Sequence, residues 1–174
     1  MLNRSYMSRR ELEEHSFHPA VALLVPLAAI LLQAVLPRPI PRLSILDLPL
    51  VITIFFAVSR RSPIAGALTG ATIGLLQDAL TGQPIGVNGL VKTVIGYIVA
   101  SIGLQVDVEA LTTRVVMNFL FSLLNSVLLF LVVRRLLGLS TEHFVWRHEL
   151  LRAALNTVIA IPTFALLDRA KRLR

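Results

Sequence analysis

The sequence predicts an all-α integral membrane protein, with about six short transmembrane helices in one compact bundle. Three observations carry this reading. The 174-residue chain is 55% hydrophobic and only 16% charged, whereas soluble domains carry about 25% charged residues. Its mean hydropathy is +0.75, and the excess lies in long apolar blocks. The polar stretches between the blocks are too short for a separate soluble domain. The organisation therefore reads as a polar tail over 1–17, a six-helix membrane domain over 18–167 and a basic tail over 168–174.

Each element follows from its own stretch of sequence. The tail sets Arg4, Arg9 and Arg10 against Glu11, Glu13 and Glu14. Span 1 runs from His18 to Leu36 with Pro26 inside it. It is longer than the core of a signal peptide and lacks a small-x-small cleavage site, so it reads as a retained helix. Three prolines between 37 and 41 make a stiff connector. Span 2, Leu43 to Val58, carries Asp47 and Pro49 near its start. Its length of roughly 24 Å falls short of a ~30 Å hydrocarbon core. Span 3 covers Ser62 to Leu80 and span 4 Ile85 to Leu104, joined by a turn at Thr81-Gly82-Gln83-Pro84. A small polar loop with Asp107 and Glu109 leads to span 5, Val115 to Leu139, where Arg134 and Arg135 mark its emergence. The polar segment from Ser140 to His148 holds Trp146 as an interfacial anchor. Span 6 is Leu150 to Leu167. A five-span arrangement, with one weak span lying in the interface, is the alternative.

Six spans put both termini on one side, and basic residues choose which. With the N-terminus inside, the inner segments hold Arg4, Arg9, Arg10, Arg60, Arg61, Arg114, Arg169, Lys171, Arg172 and Arg174, ten in all. The outer segments hold six: Arg38, Arg42, Arg134, Arg135, Arg147 and Arg152. The positive-inside rule then places both termini in the cytoplasm. It also accounts for the net charge of +7 without nucleic acid as a partner, because the basic residues sit at the ends of apolar runs.

Catalytic chemistry finds no foothold. There is no cysteine, which removes disulfides, thiolate metal sites and a cysteine nucleophile. His15, His18, His143 and His148 have no carboxylate constellation around them, so no metal site is expected. No phosphate-binding loop or nucleophile elbow is present. The chain reads as a non-enzyme without a cofactor.

Chemistry instead concentrates between Gly66 and Lys92. Gly66, Gly70 and Gly74 line one helix face beside Ala67 and Ala71, and Gly89, Gly96 and Gly103 form a second small-residue seam. Such faces let backbones approach closely in lipid. The two seams pack on each other, or one meets a partner protein or a second copy of the chain as a homodimer. The hairpin between them brings Gln77, Asp78, Asn88 and Lys92 to one level. Charges inside a membrane are costly, so Asp78 and Lys92 are expected to pair, to line a polar cavity or partner site, or each to reach the interface separately. On span 5, Arg114, Asn118, Ser122, Asn125 and Ser126 share a face, as do Glu149, Arg152 and Asn156 on span 6. These intramembrane polar stripes read as interhelical glue, with a ligand cavity as the alternative.

The segments Gly74-Leu75-Leu76-Gln77-Asp78, Ile85-Gly86-Val87-Asn88-Gly89-Leu90 and Gly96-Tyr97 resemble the central hairpin of the bacterial rod shape-determining MreD family. Length and span number fit as well. The resemblance implies a subunit of the cell-elongation machinery in the inner membrane, with no reaction of its own. Its partners would be the bitopic protein MreC and, indirectly, the MreB filament and a RodA-type peptidoglycan synthase. It also implies a fold similar to the substrate-binding subunits of energy-coupling-factor vitamin transporters, and such a subunit is the alternative reading of function. In those subunits an alanine seam near the N-terminus docks on the energising module. Here the alanines of span 1 lack a clean four-residue repeat and the strongest seam is on span 3, which favours the shape-determining reading.

Overall fold

A computed structural model describes residues 19–36, 38–39, 41–60, 62–108, 110–136, 138 and 145–172. The described residues form six α-helices: α1 Pro19–Val35, α2 Leu48–Arg60, α3 Pro63–Thr81, α4 Val87–Gly103, α5 Leu111–Leu136 and α6 Trp146–Arg172, with a 3₁₀ turn at Pro41–Ile45 before α2. There is no strand among them. The tail over 1–17, the histidines at 15, 18 and 143, and Glu109 lie outside the described residues.

Helix α2 is the axis of the bundle. It is apolar on every side, and every residue from Pro49 to Ser59 is buried, as expected of a helix surrounded by others. It touches each of the other five α-helices. Phe55 and Phe56 meet edge to face at 5.6 Å, and Phe55 packs on Phe164 of α6 at 5.0 Å. Ile30, Leu50, Ile54, Val91, Ile95 and Val99 complete the core.

Side-chain pairs fix the directions of the helices. Asp47 meets Lys92 and Val58 meets Gly103, both 45 residues apart, so α2 and α4 run parallel. Asp47 meets Asn156 and Phe55 meets Phe164, both 109 residues apart, so α6 runs the same way. Helix α3 opposes α4, and α5 opposes α6. The starts of α2, α4 and α6 therefore share one end of the bundle with the ends of α3 and α5.

Several helix limits differ from the hydropathy pattern, for local reasons. Span 2 is broken at Asp47, whose carboxylate accepts the Leu50 N–H at 3.0 Å and caps α2. Gln33 of α1 closes the break, donating to the Leu46 carbonyl at 2.8 Å and accepting the Leu48 N–H at 3.2 Å. Helices α5 and α6 each begin four residues before their apolar runs, because hydropathy marks burial in lipid and not backbone hydrogen bonding. Helix α6 likewise continues past Asp168 to Arg172. Three helical stretches are long and apolar enough to cross a membrane: Pro41–Arg60, Leu111–Arg135 and Trp146–Arg169. Ala20–Val35 and Val87–Gly103 are shorter apolar helices. Helix α3 has 19 residues, but its glycines, Gln77 and Asp78 dilute its hydropathy.

Candidate functional site

The glycines of α3 are covered by α4. A Cβ on Gly66 would lie 2.4 Å from the Gly96 carbonyl oxygen, on Gly70 1.9 Å from that of Lys92, and on Gly74 2.4 Å from that of Asn88. The paired residue numbers sum to 162 in each case, which is the register of an antiparallel pair in backbone contact. Gly96 faces Gly66 in return, and Gly89 takes the Leu75 side chain. These faces are therefore not available to a second copy of the chain. Gly103 departs from the expected seam. Its opposite number in this register would be 59, beyond the start of α3, and a Cβ added to it would lie instead 3.6 Å from the Val58 Cα of α2.

This contact sets the hairpin, and Asp78 is its joint. The Asp78 carbonyl accepts the N–H of Gly82 and, at 3.2 Å, of Gln83, closing α3 through a left-handed Gly82 at φ 68°. Its carboxylate opens α4. Oδ2 accepts the N–H of Gly86 at 2.9 Å and of Gly89 at 3.2 Å, while Oδ1 accepts the N–H and the side-chain amide of Asn88 at 3.2 and 2.8 Å. The Val87 N–H donates to the Pro84 carbonyl at 3.3 Å. All four free N–H groups of the helix start are thereby satisfied. Gly86, at φ 101°, has no capping side chain of its own, so α3 supplies the cap from outside, and its negative charge faces the positive end of the α4 dipole.

The expected Asp78–Lys92 ion pair is not formed. The oxygens of Asp78 are committed to the start of α4, and Lys92 lies one turn further along. Its Nζ donates to Asp47 Oδ2 at 3.1 Å and to Asn88 Oδ1 at 3.1 Å. Asn88 thus bridges the two charges. Asp47 and Lys92 are 1% and 0% exposed. Two unit charges leave water at a cost that only close pairing and further hydrogen bonds offset. Asp47 gains further contacts from two more helices: Asn125 of α5 donates to Oδ2 at 3.4 Å, the Asp47 N–H donates to Asn156 Oδ1 of α6 at 2.9 Å, and Arg152 Nη2, also of α6, stands 3.9 Å from Oδ2 as an ion pair. Asn156 also donates to Ser122 Oγ at 3.4 Å. One carboxylate at the break before α2 therefore ties α2, α4, α5 and α6 together.

The polar stripes of α5 and α6 divide between the two ends of the bundle. Ser122, Asn125, Arg152 and Asn156 join the Asp47 cluster, with Ser126 and Glu149 beside it. His148 meets Glu149 at 3.1 Å. Arg114 lies at the opposite end, bonded to Asp168 and to the Val108 carbonyl and stacked on Phe164. Asn118 donates to the Arg114 carbonyl at 2.9 Å and lines an apolar groove of about 100 Å³ between α5 and α6. Gln77 is buried, and its Oε1 accepts no hydrogen bond from the described residues, so it does not join the other three hairpin residues.

Sequence reasoning passed over Asp47 as the centre of the cluster, and Gln33 entirely. The signal for Asp47 was an acid followed by Leu-Pro-Leu inside an apolar run, an N-cap pattern in a place where an unpaired charge is costly. Arrangements of this kind lock helices. The two buried carboxylates are occupied, Asp78 by backbone donors and the Asn88 amide, and Asp47 by the Leu50 N–H, Lys92 and Asn125.

The family model for rod shape-determining protein MreD matches residues 16–170 of the 174-residue chain. No curated protein and no solved structure matches it. The match takes in all six described helices except the last two residues of α6, and the chain belongs to the MreD family.

Proposed function

We propose that this rod shape-determining membrane protein is a non-catalytic subunit of the bacterial cell-elongation complex in the inner membrane. It binds a bitopic MreC-like protein and, through it, helps to couple cytoplasmic MreB filaments to peptidoglycan synthesis by a RodA-type synthase. The family match over nearly the whole chain carries this reading. The interior supports it, because the buried charges hold helices to one another. In this proposal both termini are cytoplasmic, as the ten-to-six distribution of basic residues favours, and the Asp47 end of the bundle faces the periplasm.

Affinity purification of the tagged chain from native membranes tests the proposal. An MreC-like bitopic protein should be recovered. Recovery of an ATPase module or of a bound vitamin would overturn it and establish the transporter-subunit alternative.

A further inference from the structure

The Asp47 cluster is fully hydrogen-bonded toward α4 and incompletely bonded toward α5 and α6. Three buried polar atoms on that side have no hydrogen-bond partner among the described residues: Asn125 Oδ1, Glu149 Oε2 and Arg152 Nε. They lie together. Asn125 and Arg152 both approach Asp47 Oδ2, and Arg152 Nη1 stands 3.8 Å from Glu149 Oε2. The guanidinium is thus held between two carboxylates at 3.8 and 3.9 Å, too far for a direct hydrogen bond to either. A water can bridge polar groups held beyond direct hydrogen-bonding range. Two acceptors and one donor satisfy the two to four partners that an ordered water needs. The exposure gradient leads outward: Asp47 is 1% exposed, Glu149 15% and Arg152 22%, and His148 next to them is 56% exposed. Glu149 and Arg152 stand in the first two turns of α6, at the edge of the bundle.

We propose that a hydrated inlet leads into the cluster between α5 and α6. Water bridges Arg152 to Asp47 and Glu149, satisfies Asn125 Oδ1, and connects the buried Asp47–Lys92 pair with the aqueous phase beyond the start of α6. An inlet explains how a helix carrying Glu149 and Arg152 sits stably beside Asn125 and Ser126, because the four polar groups need not complete one another's hydrogen bonds in a dry interface. The phase it opens to rests on the orientation proposed above; the inlet itself does not.

The natural chain has no cysteine, so single-cysteine variants report without background. Thiols react with methanethiosulfonates as thiolates, which form in water and not in lipid. Ser126→Cys and Glu149→Cys probe the two walls of the inlet. Leu131→Cys is the control: it lies on α5 nearer the same end than Ser126, and it is 45% exposed on the outer surface of the bundle. Depth alone would make Leu131→Cys the faster to react. The inlet makes Ser126→Cys faster by at least about tenfold, with a small charged reagent that does not cross membranes. Glu149→Cys, on the facing wall, keeps the test decisive should the serine variant fail to accumulate, and it should exceed the control by the same margin. The reagent is applied to right-side-out and to inverted vesicles. Fast reaction of the inlet positions in right-side-out vesicles alone supports the inlet and its orientation. Fast reaction in inverted vesicles alone supports the inlet and overturns the orientation. Inlet cysteines no faster than Leu131→Cys in either preparation overturn the inlet.

Discussion

Gly70→Ala places a methyl group where two backbones already touch. The new Cβ would lie 1.9 Å from the Lys92 carbonyl oxygen and 2.5 Å from its carbon, while real Cβ atoms keep at least 3.0 Å. Helices α3 and α4 must therefore part by about 1.1 Å. The displaced helix carries Asn88 and Lys92, whose bonds to Asp78 and Asp47 measure 2.8 to 3.2 Å, so an added ångström takes them beyond hydrogen-bonding range. Overpacking of this kind costs about 1–3 kcal/mol, and losing one charge-assisted bond adds about 1.5–3 kcal/mol. The combined loss of about 2.5–6 kcal/mol lowers the melting temperature by at least about 5 °C for a chain of this length. Gly103→Ala is the matched control. Its Cβ would stand at an ordinary 3.6 Å from Val58, and alanine favours a helix over glycine by up to about 1 kcal/mol, so melting should be unchanged or raised. Thermal unfolding of both variants in detergent, followed by size-exclusion chromatography, measures the difference. Equal melting of Gly70→Ala and the natural protein would refute the register and the reasoning built on it.

Asp78→Ala removes the cap of α4 and leaves three backbone N–H groups without an acceptor; a loss of about 2–5 kcal/mol is expected, and protease cleavage between residues 81 and 87 should accelerate in the variant. Gly86→Ala forces a side chain into φ 101°, at a cost of about 1–3 kcal/mol, and a melting point equal to that of the natural protein would contradict the turn geometry. Asp47→Asn keeps the cap of α2 but leaves Lys92 without its counter-charge, destabilising by about 3–5 kcal/mol. Asp47→Asn combined with Lys92→Met should recover more than half of that loss, and a double variant no more stable than the single one would show that the two residues do not act as a pair.

The helix count, the antiparallel hairpin and its glycine faces were legible because each leaves a local trace: apolar length, turn residues, and small residues every four positions. The ion-pair partner of Lys92 was not. Asp78 is nearer in sequence and in the same hairpin, and only the depth of Lys92, one turn below Asn88, separates it from Asp78 and places it against Asp47 of α2. That placement depends on the parallel packing of α2 and α4, which no local pattern records. Gly103 was grouped with Gly89 and Gly96 by spacing alone, yet α3 begins too late to reach it. The stripe from Arg114 to Ser126 is continuous on its helix, but α6 answers it with Asp168 at one end and with Asn156, Arg152 and Glu149 at the other. Periodicity gives a face; the facing helix decides what the face does.

The central claim is that the buried charges serve to hold the bundle together. Cell shape in a strain whose only copy carries Asp47→Asn and Lys92→Met together tests it most directly, with protein level measured in the same membranes. The account predicts rod-shaped cells wherever the double variant accumulates to the natural level. Round cells containing that level of folded double variant would contradict it, because the charges would then be needed for something other than the fold.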